Sequence, residues 1–198
     1  MFTLYDSRLS LNCYKVRLLL SILNVPYVRQ AVDLRLGQHR SAEMLALNPF
    51  GQVPVLRTDS IALRDSSAIL VWLARKHGGD AWMPRDPDAE AVVTAWLMTS
   101  AFELRLGPYE ARLAKLAPAY CVTGNMVEAN TTRALQLYEA RLAEREWIAL
   151  DHPTIADIAA FPALAHCGDG DVDLAPYSAI RAWLARVRDL NGFVPLLD

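Results

Sequence analysis

The spacing of apolar residues changes along the chain from a mixed strand and helix pattern to an almost purely helical one. Residues 2–5 have the pattern of a short strand, and residues 12–23 carry apolar side chains at helical spacing. Residues 27–34 then alternate between apolar and polar side chains, as a strand does. These three segments have the length of one βαβ unit, so the chain is predicted to begin with one.

The pattern continues with a short helix at 41–47 and two strands at 53–58 and 60–63, joined by a turn at Asp59. A second amphipathic helix follows at 65–79 and ends at two glycines. Periodicity and turn residues therefore predict one compact α/β domain.

The segment after this helix is rich in turn residues, because two glycines and two prolines lie between 78 and 88. Beyond it no convincing strand pattern remains, and helices are predicted near 88–106, 108–117, 124–145, 154–166 and 176–189. We therefore expect a domain at 1–77, a linker at 78–87 and an all-helical domain at 88–198.

Composition places the protein among globular chains, with 53% hydrophobic and 21% charged residues. The net charge of −2 gives no electrostatic reason to expect binding to nucleic acid or to an anionic membrane. The N-terminus lacks an apolar signal core, and the three cysteines do not suggest a disulfide framework. These features predict a cytoplasmic protein.

The stretch SRLSLNCYKVRLLL, residues 7–20, concentrates small polar residues at the start of a predicted helix. Ser10, Asn12 and Cys13 suit helix capping and turn chemistry, and they also suit a catalytic site. Ser10 and Cys13 have the spacing of a C-x-x-C motif in which serine replaces the first cysteine. From this stretch alone, both interpretations stay open.

Two other motifs are interpreted as structural. In PTIADIA, Thr154 and Asp157 form a capping box for a helix. In HCGDGDVD, three aspartates imitate the start of a calcium loop, but Leu174 stands where the required glycine would be, so no metal is assigned.

Three stretches in this order resemble the glutathione transferase family: SLNCYKV (10–16), NPFGQVPVL (48–56) with RDSSAI (64–69), and PTIADIA (153–159). The resemblance covers essentially the whole chain and is greatest to bacterial classes with a hydroxyl residue at the active position. It implies a thioredoxin-like domain, a linker and a helical domain.

The resemblance also implies roles for particular residues. Ser10 would stabilise the thiolate of glutathione, with Asn12 assisting it, whereas Cys13 is expected to be a packed thiol. The electrophilic substrate would contact Leu9, Leu11 and Tyr109.

Glutathione itself would be bound by three loops of the first domain. Gln38 and His39 would reach its glycyl carboxylate, and Asp65 and Ser66 would hold its γ-glutamyl end. A cis peptide bond before Pro54 would leave the backbone of Val53, next to Gln52, free to pair with it as an added strand. In isolation, Pro54 would be expected to be trans and Asp65 and Ser66 to cap a helix.

The expected activity is conjugation of glutathione, as co-substrate, to small apolar electrophiles in detoxification, by a homodimer that needs no metal, nucleic acid or membrane. Two alternatives stay open: glutathione-dependent disulfide reduction, which Ser10 and Asn12 would also permit, and a non-catalytic binding protein with the same fold.

Overall fold

A computed structural model describes residues 1–122 and 124–197, and the chain divides into two compact units. The first unit contains residues 1–78 together with 191–197, and the second contains residues 79–190. In chain order the first unit has β1 (Phe2–Asp6), α1 (Leu11–Ile22), β2 (Tyr27–Ala31), α2 (Ala42–Leu47), β3 (Val55–Arg57), β4 (Ala62–Arg64) and α3 (Ser66–Leu73).

The four strands form one mixed sheet in the order β2-β1-β3-β4. β1 and β2 are parallel, whereas β1 pairs with β3, and β3 with β4, in antiparallel fashion. Leu4 and Leu56 lie opposite each other and are fully buried. The βαβ unit and the four-stranded sheet are therefore confirmed.

The register of the strands brings three chain segments together at one end of the sheet. Val55, at the start of β3, lies opposite Tyr5 near the end of β1 and opposite Arg64 at the end of β4. The loop after β1, the loop before β3 and the start of α3 therefore meet at the same end of the sheet.

Helix α1 packs against α3 and is buried along most of its length: Leu18, Leu19 and Leu20 have no exposed surface, and Lys15 and Arg17 are buried as well. Burying the three leucine side chains stabilises the unit by roughly 5–9 kcal/mol before entropy is considered. Pro26 follows shortly after α1 and cannot continue a helix.

All the regular secondary structure in the described residues of the second unit, 79–122 and 124–190, is helical. Its helices are α4 (Gly79–Trp82), α5 (Pro87–Thr99), α6 (Pro108–Leu116), α7 (Val127–Glu144), α8 (Ile155–Ala165) and α9 (Ser178–Arg188). The predicted capping box is present at the start of α8, where Thr154 and Asp157 exchange hydrogen bonds with each other's backbone. Asp157 is fully buried and also accepts a hydrogen bond from Trp183 Nε1 at 2.9 Å.

The structure differs from several predicted boundaries, and three of the differences have a clear structural content. β2 ends at Ala31 rather than at 34, because Asp33 Oδ1 accepts the N–H groups of Arg35 and Leu36 in a turn. The segment 78–87 contains the short helix α4. Residues 191–197 belong to the first unit, not to the helical domain, a return of the chain that local periodicity does not encode.

No helix in the described ranges, 1–122 and 124–197, is long and apolar enough to cross a membrane.

Candidate active site

Ser10 lies at the N-terminus of α1, at the sheet edge where the three segments meet. Its Oγ accepts a hydrogen bond from the N–H of Cys13 at 3.3 Å, so it does cap the helix. A hydroxyl has one proton to donate and two lone pairs. Because the cap uses a lone pair, the half-buried Ser10 hydroxyl retains its proton for a second partner. Capping and catalysis are thus compatible at this residue.

Cys13, one helical turn further, is fully buried, and its Sγ accepts the N–H of Ser7 at 3.4 Å. Burial, with a smaller contribution from the negative charge of Asp6, raises the pKa of the Cys13 thiol to about 12. The thiol is therefore protonated at neutral pH and is a poor nucleophile. The expectation that Cys13 is buried agrees with this structure.

Asn12 lies between these two residues and is half-buried. Its side-chain amide makes no hydrogen bond with another residue in the part of the chain described here. The amide can therefore pair with a bound molecule without losing a contact in the protein.

Gln38 and His39 share one helical turn, Gln38–Arg40. Gln38 is exposed, and its Oε1 accepts the N–H of Asp33 at 2.8 Å, which leaves its NH2 group as the donor for a ligand. His39 is buried, and burial, followed by the positive charge of Arg40, lowers the pKa of its imidazole. A neutral imidazole donates a weaker hydrogen bond to a carboxylate than a charged imidazole would.

The loop before β3 contains a cis peptide bond between Val53 and Pro54, which confirms that prediction. Neither the N–H nor the C=O of Val53 makes a hydrogen bond among the described residues. The carbonyl of Gln52 accepts the side-chain amide of Asn48 at 2.8 Å. Gly51 has φ +58 and lies so close to the carbonyl of His39 that a Cβ would be 3.3 Å from it. The two loops are therefore adjacent.

Asp65 caps α3, since its Oδ1 accepts the N–H groups of Ser67 at 2.9 Å and Ala68 at 3.1 Å. Its backbone has φ +71 and ψ 124, outside the left-handed helical well that Asn and Asp tolerate. Such a conformation costs about 1–3 kcal/mol and is found preferentially at functional sites. Its carboxylate is exposed and has a second oxygen for a ligand, and Ser66 follows it at the first helical position.

The three residues expected to contact the electrophile differ in exposure. Leu9 is 48% exposed, next to Ser10. Leu11 has no exposed surface because it lies on the buried face of α1, so the prediction that it contacts a substrate is wrong for this structure. Tyr109 is half-buried in the second unit, with the Arg105 guanidinium 5.0 Å from the centre of its ring.

Two of the three aspartates of the calcium-like stretch are paired with basic side chains, and the third, Asp173, accepts the N–H of Ala175. Asp169 forms an ion pair with Arg112 at 2.8 Å, and Asp171 pairs with Lys115. These carboxylates bind α6 to the turn at Cys167–Gly170.

Comparison with known proteins assigns both parts of the chain to one family. Residues 4–81 match the N-terminal domain of glutathione S-transferases, and residues 126–191 match their C-terminal domain. The chain belongs to the glutathione S-transferase family. The thioredoxin-like first domain, the helical second domain and the assignment as a transferase enzyme are thereby confirmed.

Individual relatives are similar to this transferase over most of its length. Glutathione S-transferase theta-1 of Bos taurus is 31% identical, over 96% of this chain and 84% of the relative. The crystal structure of a glutathione S-transferase from Pseudomonas fluorescens has a TM-score of 0.90 at 30% identity, covering 100% of this chain and 99% of the other. A Drosophila mojavensis homologue, solved with bound glutathione, has a TM-score of 0.86 at 26% identity, covering 96% and 88% of the two chains.

One group of residues in the transferase was missed by sequence reasoning. Asp6, at the end of β1, is fully buried and forms ion pairs with Arg17 and Arg29. A basic residue within the apolar run KVRLLL is the only local signal for it, and that signal does not name the partners.

Proposed function

We propose that this transferase activates the thiol of glutathione for attack on small apolar electrophiles, with the Ser10 hydroxyl donating a hydrogen bond to the sulfur. The observation that carries the proposal is the half-buried Ser10 hydroxyl, whose cap bond uses a lone pair and not its proton. A glutathione-like thiol with a pKa of about 8.5 is only a few per cent ionised at neutral pH.

Lowering the thiol pKa by about two units requires roughly 2.7 kcal/mol of preference for the thiolate. A hydrogen bond to a charged group contributes about 1.5–3 kcal/mol. The N-terminus of α1 adds partial positive charge from its unpaired N–H groups. Together these two sources are large enough, and Asn12 supplies a further donor beside them.

The cysteinyl and γ-glutamyl parts of glutathione are assigned to the loop before β3 and to the start of α3, which meet at the same end of the sheet. The unpaired N–H and C=O of Val53, between Gln52 and Pro54, pair with the cysteinyl backbone. The second carboxylate oxygen of Asp65 takes the γ-glutamyl ammonium, and the N–H of Ser66 at the helix start takes its carboxylate.

The glycyl carboxylate of glutathione is assigned to the turn at Gln38–Arg40. There the NH2 group of Gln38 and the imidazole of His39 are the donors. The close approach of Gly51 to the His39 carbonyl places this turn beside the Val53 loop, as a single extended tripeptide requires.

The second substrate is assigned to apolar electrophiles because the exposed side chain beside Ser10 is Leu9, which carries no charge or hydrogen-bonding group. Tyr109 stays a predicted contact of this substrate.

We also infer a homodimer. Ala91, Ala95, Met98 and Phe102 recur at helical spacing along α5 and its continuation, and all four are exposed. An exposed apolar stripe of this length is typical of a subunit interface.

Retention on immobilised glutathione, followed by assays with a model aryl halide and with a model disulfide, tests the activity. We expect retention, conjugation of the aryl halide and at most weak reduction of the disulfide. Fast disulfide reduction without conjugation would replace the proposal with the reductase alternative. Retention with neither activity would indicate a binding protein.

A further inference from the structure

Residues 191–197 form a segment, here called the C-terminal strap, that packs against α1 inside the first unit. The hydroxyl of Tyr14 donates to the carbonyl of Val194 at 2.7 Å. Where the strap begins, a Cβ on Gly192 would lie 2.8 Å from the carbonyl oxygen of Ser21, so only glycine fits this approach without movement. The strap therefore follows α1 closely from its end toward its start.

The second attachment of the strap is the buried side chain of Arg17. Its guanidinium donates to the carboxylate of Asp6 at 2.5 Å and to the carbonyl of Leu196 at 3.0 Å. The Nη2 atom of Arg17, which donates to Leu196, also donates to the carbonyl of Arg8 at 3.1 Å. One planar group thus joins the end of β1, the loop that leads to Ser10, and the strap.

Two hydrogen bonds shape the loop between β1 and α1 itself. The N–H of Ser10 donates to the carbonyl of Ser7 at 3.0 Å, and the N–H of Ser7 donates to Cys13. These bonds lie within residues 7–13 and fix the shape of the turn, whereas Arg17 connects that turn to the strap. A donor displaced by about 0.5 Å loses much of its catalytic effect.

We infer that Arg17 is a positioning residue for Ser10 and that the C-terminal strap fixes the side chain of Arg17 for this purpose. The inference rests on the proposed role of Ser10 as thiolate donor. It adds that the last residues of the chain set the ionisation of the bound thiol, although they are not assigned to the glutathione site.

The first test shortens the chain to end at Phe193, which removes the carbonyls of Val194 and Leu196. We expect the pKa of bound glutathione to rise by about one unit, from about 6.5 to about 7.5, so that kcat falls about 3-fold at pH 7 and about 10-fold well below about pH 6. The affinity for glutathione, measured at low pH where the bound thiol is protonated in both proteins, should change by no more than about 2-fold, and the activity should approach that of the parent at high pH.

The second test replaces Arg17 by lysine, which keeps a positive charge for Asp6 but lacks the planar fork that reaches two carbonyls. Asp6 retains Arg29 as a partner in this variant. We expect the same rise in thiol pKa as in the shortened chain. Both changes break the same connection, the one that Arg17 makes between the loop and the strap. The combined variant should therefore raise the bound thiol pKa no more than either change alone.

A matched pair of tyrosine variants separates positioning from general stability. Tyr14 and Tyr138 are both buried, and their hydroxyls bond to Val194 and Ser100 respectively. Tyr14→Phe should raise the bound thiol pKa, whereas Tyr138→Phe should lower stability without moving it. If the shortened chain does not fold, Arg17→Lys and Tyr14→Phe decide the question.

An unchanged thiol pKa in folded Arg17→Lys, Tyr14→Phe and shortened chains would overturn the inference. Ser10→Ala is measured in parallel: if it too leaves the thiol pKa unchanged, the proposed function fails instead. In that case, amide hydrogen exchange of Ser10 and Cys13 in the absence of glutathione tests separately whether the strap stabilises the loop that contains Ser10. Loss of the strap should speed their exchange at least about 10-fold, and unchanged protection would overturn the strap's role.

Discussion

At the scale of single residues, the proposal gives Ser10 two tasks with different parts of one hydroxyl: a lone pair caps the helix, and the proton is left for the thiolate. Ser10→Ala should raise the pKa of bound glutathione and reduce conjugation roughly 4- to 40-fold at pH 7, and by the full factor of roughly 10- to 150-fold only well below the parent's thiol pKa. The rates of variant and parent should converge at high pH, where the thiol ionises unaided. Stopped-flow or steady-state rates measured across pH provide the check.

Ser10→Ala removes both the helix cap of α1 and the proposed hydrogen-bond donor, so the two effects have to be measured separately. Ser41 caps α2 by accepting the N–H of Met44 at 3.3 Å, the same arrangement and distance as at Ser10. Ser41→Ala should lower the free energy of unfolding by a similar amount, about 1 kcal/mol, and leave the thiol pKa unchanged. If Ser10→Ala stays fully active while Cys13→Ala is inactive, the donor assignment is wrong.

Asp65 provides the second prediction at this scale. Asp65→Asn keeps an oxygen to cap α3 but removes the negative charge for the γ-glutamyl ammonium. We expect glutathione to bind about 10-fold more weakly, while turnover of the bound complex changes less than about 3-fold. Calorimetric titration measures the first quantity, and saturating kinetics measure the second.

Asp86→Asn is the control for this change, because Asp86 caps α5 by accepting the N–H of Ala89 at 3.0 Å. It should leave glutathione affinity unchanged. Equal losses of affinity in the two variants would remove Asp65 from the binding site.

At the scale of elements, the start of α8 depends on one buried carboxylate. Asp157 Oδ1 accepts N–H groups from Ile148 and Trp183, and its Oδ2 accepts the N–H of Thr154. In Asp157→Asn, an NH2 group would face one of these donors. We expect unfolding free energy to fall by about 2–4 kcal/mol.

Denaturant unfolding measures this loss when the slope of unfolding free energy against denaturant concentration is the same in variant and parent. Asp169→Asn alters a carboxylate that is partly exposed and paired with Arg112, and it should cost less than about 1 kcal/mol. A loss of similar size in both variants would contradict a special role for the α8 start.

Elements were predictable where local pattern decides them. The leucines of α1 and the capping box of α8 each specify structure within a few residues, and both were predicted. The end of β2 was not, because the side chain of Asp33 closes a turn inside an alternating pattern. Leu11 was misassigned because adjacency to Ser10 in sequence does not indicate which face of α1 a side chain occupies.

Placement of the candidate glutathione residues needed both resemblance and register. No local pattern brings Val53, Asp65 and Ser10 together, whereas the pairing of Val55 with Tyr5 and Arg64 does. The contacts of Arg17 with the C-terminal strap span most of the chain, so no window of sequence contains both partners.

At the scale of the whole molecule, the apolar stripe on α5 predicts self-association. Light scattering at micromolar concentration should report about twice 22.0 kDa. Phe102→Glu, at a position that is 58% exposed, should shift the protein toward the monomer because it places a charge in the interface.

Leu137→Glu is the matched control, since Leu137 is also an exposed apolar residue of a helix in the second unit but lies outside the stripe. It should leave the mass unchanged. A parent protein of 22.0 kDa at every concentration would contradict the homodimer.

The return of residues 191–197 to the first unit has a consequence for the order in which the protein is made. Synthesis at about 5–20 residues per second releases the N-terminal segment well before the end of the chain. The contacts of Tyr14 and Arg17 with the strap cannot form until residues 194–196 have left the ribosome. The first domain to emerge is therefore the last to be completed. In a nascent chain stalled before Asn191, the loop between β1 and α1 would not yet be connected to the strap through Arg17.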